Sequence, residues 1–229
     1  MSDIFQEVDE DLRRERLKRV WDRYGIFVIA AAVLIVVVTA GYRGYEAWNT
    51  SRQQAAGDAF VAALAEAEGA LTAGAAQTLE TFAADAPSGY AMLARFRAAT
   101  VYEQAGQSEA ARDAFAALAR DSALPETYRD LATLRLAQIE IDLGEFDAAR
   151  ASVAAMAENS GSPFNASAQE LMGLAAYAAN DNKAARRWFT SLRDGATTPP
   201  GLRTRARFML ALMTQSTGDP SGDEAGETN

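Results

Sequence analysis

The sequence predicts an all-α protein: a single N-terminal transmembrane helix followed by an α-solenoid built from stacked helix pairs. Three observations carry this reading. No charged residue falls between Arg23 and Arg43, a gap filled by GIFVIAAAVLIVVVTAGY (25–42). The triplet Ala-Ala-Arg recurs at 110–112, 148–150 and 184–186, each time with a turn residue six positions before the arginine: Gly106, Gly144 and Asn180. Prolines 87, 125, 163 and 199 stand 38, 38 and 36 residues apart, in phase with the triplets.

Composition agrees with helix. The 229-residue chain is rich in alanine, has only 6 prolines, and confines β-branched runs to the apolar segment. It contains no cysteine and no histidine. Zinc centres, thiol nucleophiles, Ser-His-Asp triads and histidine acid–base steps are therefore excluded. The lack of cysteine suits an oxidising compartment without disulfides, and suits a cytosolic protein equally. Net charge is −9 and uneven: residues 1–43 hold 7 basic and 7 acidic side chains, residues 44–229 hold 15 and 24. An acidic main part argues against a nucleic-acid binder, which needs lysine and arginine for phosphates.

Residues 1–24 form a basic arm. Ile4, Val8 and Leu12, then Leu17, Val20 and Tyr24, fall at three- and four-residue spacings that suit a loosely amphipathic helix. Residues 25–42 are the membrane span. As a helix, Ile26 to Tyr42 rises roughly 25 Å, a little under a hydrocarbon core of about 30 Å. Trp21 and Tyr24 stand before it and Tyr42, Tyr45 and Trp48 at its far border, where amphipathic rings favour the headgroup zone. Arg13, Arg14, Arg16, Lys18, Arg19 and Arg23 precede the span, against Arg43 and Arg52 after it. That bias puts the N-terminus in the cytoplasm and carries the rest of the chain across the membrane. A cleaved signal peptide is the rival: Val38-Thr39-Ala40 offers small residues to a signal peptidase. An arm with seven acids is unusual for a signal n-region, which favours an uncleaved anchor.

Residues 43–217 form the helical repeat domain. A long helix continues from the span through YEAWNTSRQQAAGDAFVAALAEAEGAL, with Phe60, Leu64 and Leu71 on one apolar side, and a short helix follows over Gln77–Ala84. Three helix pairs come next. Their first helices run 88–105, 126–143 and 165–179; their second helices start at Ser108, Glu145 and Asp181. Glycine or asparagine ends each first helix because it tolerates positive φ. Ala111, Ala149 and Ala185 allow close approach of the partner helix, and Phe115, Val153 and Phe189 fill the groove between them. Each pair has too little core by itself, so neighbours must stack. Arg112, Arg150 and Arg186 recur in phase, which points to a structural role. A final helix, Leu202–Thr217, caps the stack, and the acidic Gly-rich tail 218–229 is expected to be disordered.

Glycine, then alanine five positions on, then an aromatic four further, with a spacing proline, resembles the second half of a tetratricopeptide repeat. Gly106/Ala111/Phe115 and Asn180/Ala185/Phe189 fit it, and Gly144/Ala149/Val153 fits with valine for the aromatic. In the first halves Leu136 and Gly173 fit, while the usual tryptophan is absent and the period exceeds the standard 34. Basic arm, aromatic-bordered span and divergent repeats together resemble the YfgM-like family, an ancillary subunit of the SecYEG translocon. The resemblance implies inner-membrane location, a periplasmic domain, and partners among the Sec translocon, periplasmic chaperones and exported chains.

No catalytic constellation competes. The carboxylate pairs Glu140/Asp142 and Glu145/Asp147 lie on or at helices where acids are ordinary, and no Gly-x-Ser-x-Gly elbow or phosphate loop occurs. The expectation is a non-enzymatic protein-interaction scaffold without cofactor, metal, nucleic acid or small-molecule substrate. The first helices line the concave face of a tetratricopeptide stack, so Arg95, Arg97, Tyr102, Tyr128, Arg129, Arg135 and Tyr177 are the candidate protein-binding residues. The alternative function is a structural organiser of another envelope complex, in cell division or respiratory assembly.

Overall fold

Three turns repeat one backbone solution. In the computed structural model, which describes residues 3–69 and 71–215 and, before Trp21, only the side chain of Lys18, Gly106, Gly144 and Asn180 take φ of +74°, +80° and +62°. Just beyond each, a backbone N–H reaches back five residues: Gln107 to the Tyr102 carbonyl (2.9 Å), Glu145 to Glu140 (2.7 Å), Asp181 to Ala176 (2.8 Å). This left-handed cap satisfies carbonyls that the helix end would otherwise leave open. Proline fixes the opposite end. Pro87 and Pro125 sit immediately before α3 and α5 in an extended conformation, where their missing N–H costs nothing.

Among the described residues there are nine helices and no strand: α1 Asp3–Gly69, α2 Ala73–Asp85, α3 Ser88–Gln104, α4 Ser108–Arg120, α5 Glu126–Asp142, α6 Phe146–Glu158, α7 Asn165–Ala178, α8 Asn182–Asp194 and α9 Pro200–Gln215. The first helices of the pairs are α3, α5, α7 and α9; the second are α2, α4, α6 and α8. Helix α9 begins two residues before Leu202, α6 and α8 begin one residue after Glu145 and Asp181, and two further boundaries differ for local reasons. Helix α1 ends at Gly69, leaving Leu71 outside it and exposed. Helix α2 begins four residues earlier than Gln77, because the Thr72 hydroxyl accepts the Ala75 N–H and caps it there. Of the apolar series expected on the N-terminal arm, the side chains of Ile4, Val8, Leu12, Leu17 and Val20 lie outside the described residues, as does the acidic tail 218–229, and Tyr24 is exposed.

The chain divides into two units, residues 1–55 and 56–229. The first is a stretch of α1 that leaves Ile26, Phe27, Leu34, Ile35 and Val36 exposed. It contains a window long and apolar enough to cross a membrane. Trp21, Tyr42, Tyr45 and Trp48 at its borders are likewise exposed. The second unit holds the core in three clusters arranged along the chain. The first is built around Leu79, Val101, Phe115 and Leu118 and includes Ala63 and Ala67 of α1. The second is built around Leu134, Val153 and Leu171, and the third around Phe189, Leu192, Leu202 and Met213. Full burial of each large side chain is worth roughly 1.5–3 kcal/mol. Alanines 111, 149 and 185 are fully buried between the helices of their pairs, and an added methyl at Gly173 would meet the Phe189 ring at 2.9 Å.

Candidate protein-docking groove

Two sets of arginines bind one unit to the next. On the second helices, the Arg112 Nη1 donates to Glu145 Oε1 at 2.9 Å, Arg150 faces Asp181 at 3.6 Å, and Arg186 donates to the Met213 carbonyl at 2.5 Å. Glu145 and Asp181 are the residues immediately before α6 and α8, where a carboxylate also meets the positive end of the helix. From the first helices each tie runs to the preceding odd-numbered helix, α1 included. Arg97 faces Glu68 at 3.7 Å, Arg135 donates to Glu103 at 2.8 Å, and Arg205 grips both oxygens of Glu170 at 2.5 and 2.8 Å. The Glu170 carboxylate raises the Arg205 pKa through that hydrogen bond.

Between these ties the first helices enclose a groove of about 480 Å³. Helix α5 contributes Gln138, Ile141 and Asp142; α7 contributes Glu170, Leu171 and Leu174; α9 contributes Arg205, Phe208 and Met209; Glu103 closes the α3 end. Its apolar lining is aliphatic apart from Phe208. Three carboxylates also line it, two of which already carry an arginine. Asp142 has no hydrogen bond or ion pair among the described residues. The groove therefore offers apolar area with a residual negative charge, a surface suited to a segment bearing apolar and basic side chains.

The seven candidates from sequence do not line this groove. Arg95 donates to Asp121 at 2.6 Å, and that bond, with the Ala123 N–H, holds the Asp121 carboxyl below its ordinary value. Arg97 and Arg135 belong to the ties, with Arg135 also over the Phe115 ring at 5.8 Å. Tyr102 is only 8% exposed, and its hydroxyl donates to Glu80 at 3.2 Å. Burial first, then the Glu80 charge, pushes that phenol up. Tyr128 meets Phe96 edge-on at 6.4 Å. Arg129 donates to the Leu124 carbonyl at 2.5 Å. Tyr177 packs against the third core cluster. The groove residues carried one sequence signal: Glu103 and Ile141 stand three positions before the turn glycines 106 and 144.

A polar cleft between α5 and α6, lined by Glu126, Asp130, Thr133 and Ser152 among others, contains Asp130, whose carboxyl is pushed up by burial and by the neighbouring Glu126. No group of three acids that could hold a metal ion occurs among the described residues.

The tetratricopeptide repeat-like domain family matches residues 18–197. The chain belongs to that family. Its tetratricopeptide repeat-like domain thus takes in the apolar part of α1 as well as the helix pairs through α8. No curated protein and no solved structure matches the chain. Tetratricopeptide-like repeats generally bind proteins, and the match points to a protein-interaction scaffold.

Proposed function

We propose that the chain is a single-pass membrane scaffold whose repeat domain docks a protein segment in the groove between α5, α7 and α9. The observation that carries this is the groove itself: apolar side chains from α5, α7 and α9 lined up with three carboxylates, one of which, Asp142, is open. A non-enzymatic role fits a chain with no histidine or cysteine. The anchor is residues 25–42, with the basic arm 1–24 in the cytoplasm and the repeats on the periplasmic side of the inner membrane. Support comes from the lysine and arginine bias before the span and from the family match, which begins at residue 18 and so joins the apolar segment to the repeats.

The finer reading is an ancillary role at the Sec translocon, in which the groove receives exported chains or a periplasmic chaperone. Anchoring raises the local concentration of a weak docking surface near the site where chains emerge. The test is in-cell photo-crosslinking from Leu174, Asp142 and a position in 25–42. Adducts to translocon channel subunits from the span, together with exported chains or chaperones from the groove, support it. Adducts to division or respiratory-assembly proteins instead move the scaffold to another envelope complex. Groove positions that yield no protein adduct, while the span does, remove the groove from the binding role.

A further inference from the structure

The last helix repeats the first helix of the first full pair, but nothing described covers it. Ala94-Arg95-Phe96 of α3 and Ala206-Arg207-Phe208 of α9 share sequence and register, seven to nine positions after Pro87 and Pro199. Ala94 and Ala206 are both buried. In α3 the next two residues are occupied by its own second helix: Phe96 meets Phe115 of α4 edge-on at 6.2 Å, and Arg95 holds Asp121, the cap residue just after α4, at 2.6 Å. In α9 the equivalent Phe208 is 67% exposed. Arg207 makes no hydrogen bond or ion pair among the described residues. Ala211, in register with the fully buried Ala99, is also exposed.

We propose that this face of α9 receives an amphipathic helix of another protein, one with small apolar residues on the docking side and a carboxylate at its C-terminal end. The chemistry follows from the α3–α4 pair. An aromatic at 208 needs a flat apolar neighbour, and a guanidinium at 207 needs an acid where Asp121 stands for Arg95. The helix brings its small residues against Ala211 as α4 brings its own against α3. The sequence of residues 216–229, STGDPSGDEAGETN, does not match this description: it holds a single alanine among three glycines and a proline. A second copy of α9 is disfavoured because α9 carries Arg203, Arg205 and Arg207 and no acid, so pairing sets like charges together.

The probe is a stapled peptide of this chain's own residues 107–122, titrated against the full chain in nanodiscs. Saturable binding is expected, with Kd on the order of 10 μM. Phe208→Ser and Arg207→Glu should each weaken it about tenfold, and a peptide carrying Asp121→Arg should regain affinity for the Arg207→Glu chain. Both variants lie at an exposed surface, and an unchanged Tm checks that they fold. Phe208 also borders the groove, so Asp142→Lys, at an exposed groove position outside the core clusters, serves as control and must leave peptide binding intact; losing the groove reading then does not touch this one. Binding indifferent to both α9 variants, or no saturation, overturns the proposal. So does the single-thiol variant Phe208→Cys if its chains cross-link to one another, which makes the face a contact between copies.

Discussion

The Arg112 guanidinium reaches 33 residues along the chain to the Glu145 carboxylate at 2.9 Å, joining the second helix of one pair to the start of the next. Asp113 binds the same guanidinium from the adjoining position, and these carboxylates raise the Arg112 pKa, with the Asp113 hydrogen bond first. The tie is solvent-accessible, so its value is orientation between units and it weakens with salt. Arg112→Glu should lower Tm, and Arg112→Glu with Glu145→Arg should recover part of the loss. Thermal melts in low and high salt check this; a double variant no better than the single shows that the pair is uncoupled.

Turn conformation gives a second expectation. Alanine at Gly106 or Gly144 must adopt φ of +74° or +80°, at a cost of about 1–2 kcal/mol. Asn180→Gly, at φ +62°, should leave stability within about 0.5 kcal/mol. Urea unfolding midpoints at constant m-value are the measurement.

Glu140 is 7% exposed and accepts a hydrogen bond from Ser152 at 2.9 Å. Burial is the main influence on its carboxyl and raises it above the ordinary 4.5, with the Ser152 bond opposing. The fold therefore holds this proton more tightly than the unfolded chain does. The resulting stabilisation is present below pH 4.5 and is lost as pH rises through the raised folded value. Glu140→Gln keeps an acceptor for Ser152 and removes the buried charge, so it should raise Tm at pH 7 by about 2–4 °C. The gain should shrink toward zero below pH 4.5. A gain that persists there points to packing instead of charge.

The helix pairs were legible because their boundaries are written in local chemistry. Gly106, Gly144, Asn180 and the in-phase prolines act on the backbone within one turn of where they stand. The side-chain roles were not legible in the same way. Tyr102 reads as a concave-face aromatic until Glu80, 22 residues earlier, is seen to accept its hydroxyl. Arg135 reads as a free cation until Glu103 of the neighbouring first helix takes it at 2.8 Å. The groove collects residues from four helices, and only the angle between stacked pairs decides which of them converge. The start of α2 was missed for a local reason, the Thr72 cap.

The apolar span makes a fourth expectation. Leu34 is exposed on α1 within the window apolar enough to cross a membrane. Leu34→Arg should cost about 2.5–3.5 kcal/mol of insertion at a helix centre and move much of the protein out of the carbonate-resistant membrane fraction. Full retention of the variant in that fraction argues that residues 25–42 are not the anchor.

The three core clusters follow the chain in order. Buried members of the first fall between Ala63 and Ile139, of the second between Leu134 and Ala175, of the third between Ala176 and Met213. A chain that emerges from a pore N-terminus first can therefore close its interior in instalments, since each cluster draws on a neighbouring stretch of sequence and none waits for the far end. Chains arrested at residue 160 should already shield Phe115 from protease. The first cluster can close once about two repeats, Ala63 to Ile139, have emerged, and each later cluster needs about one repeat more.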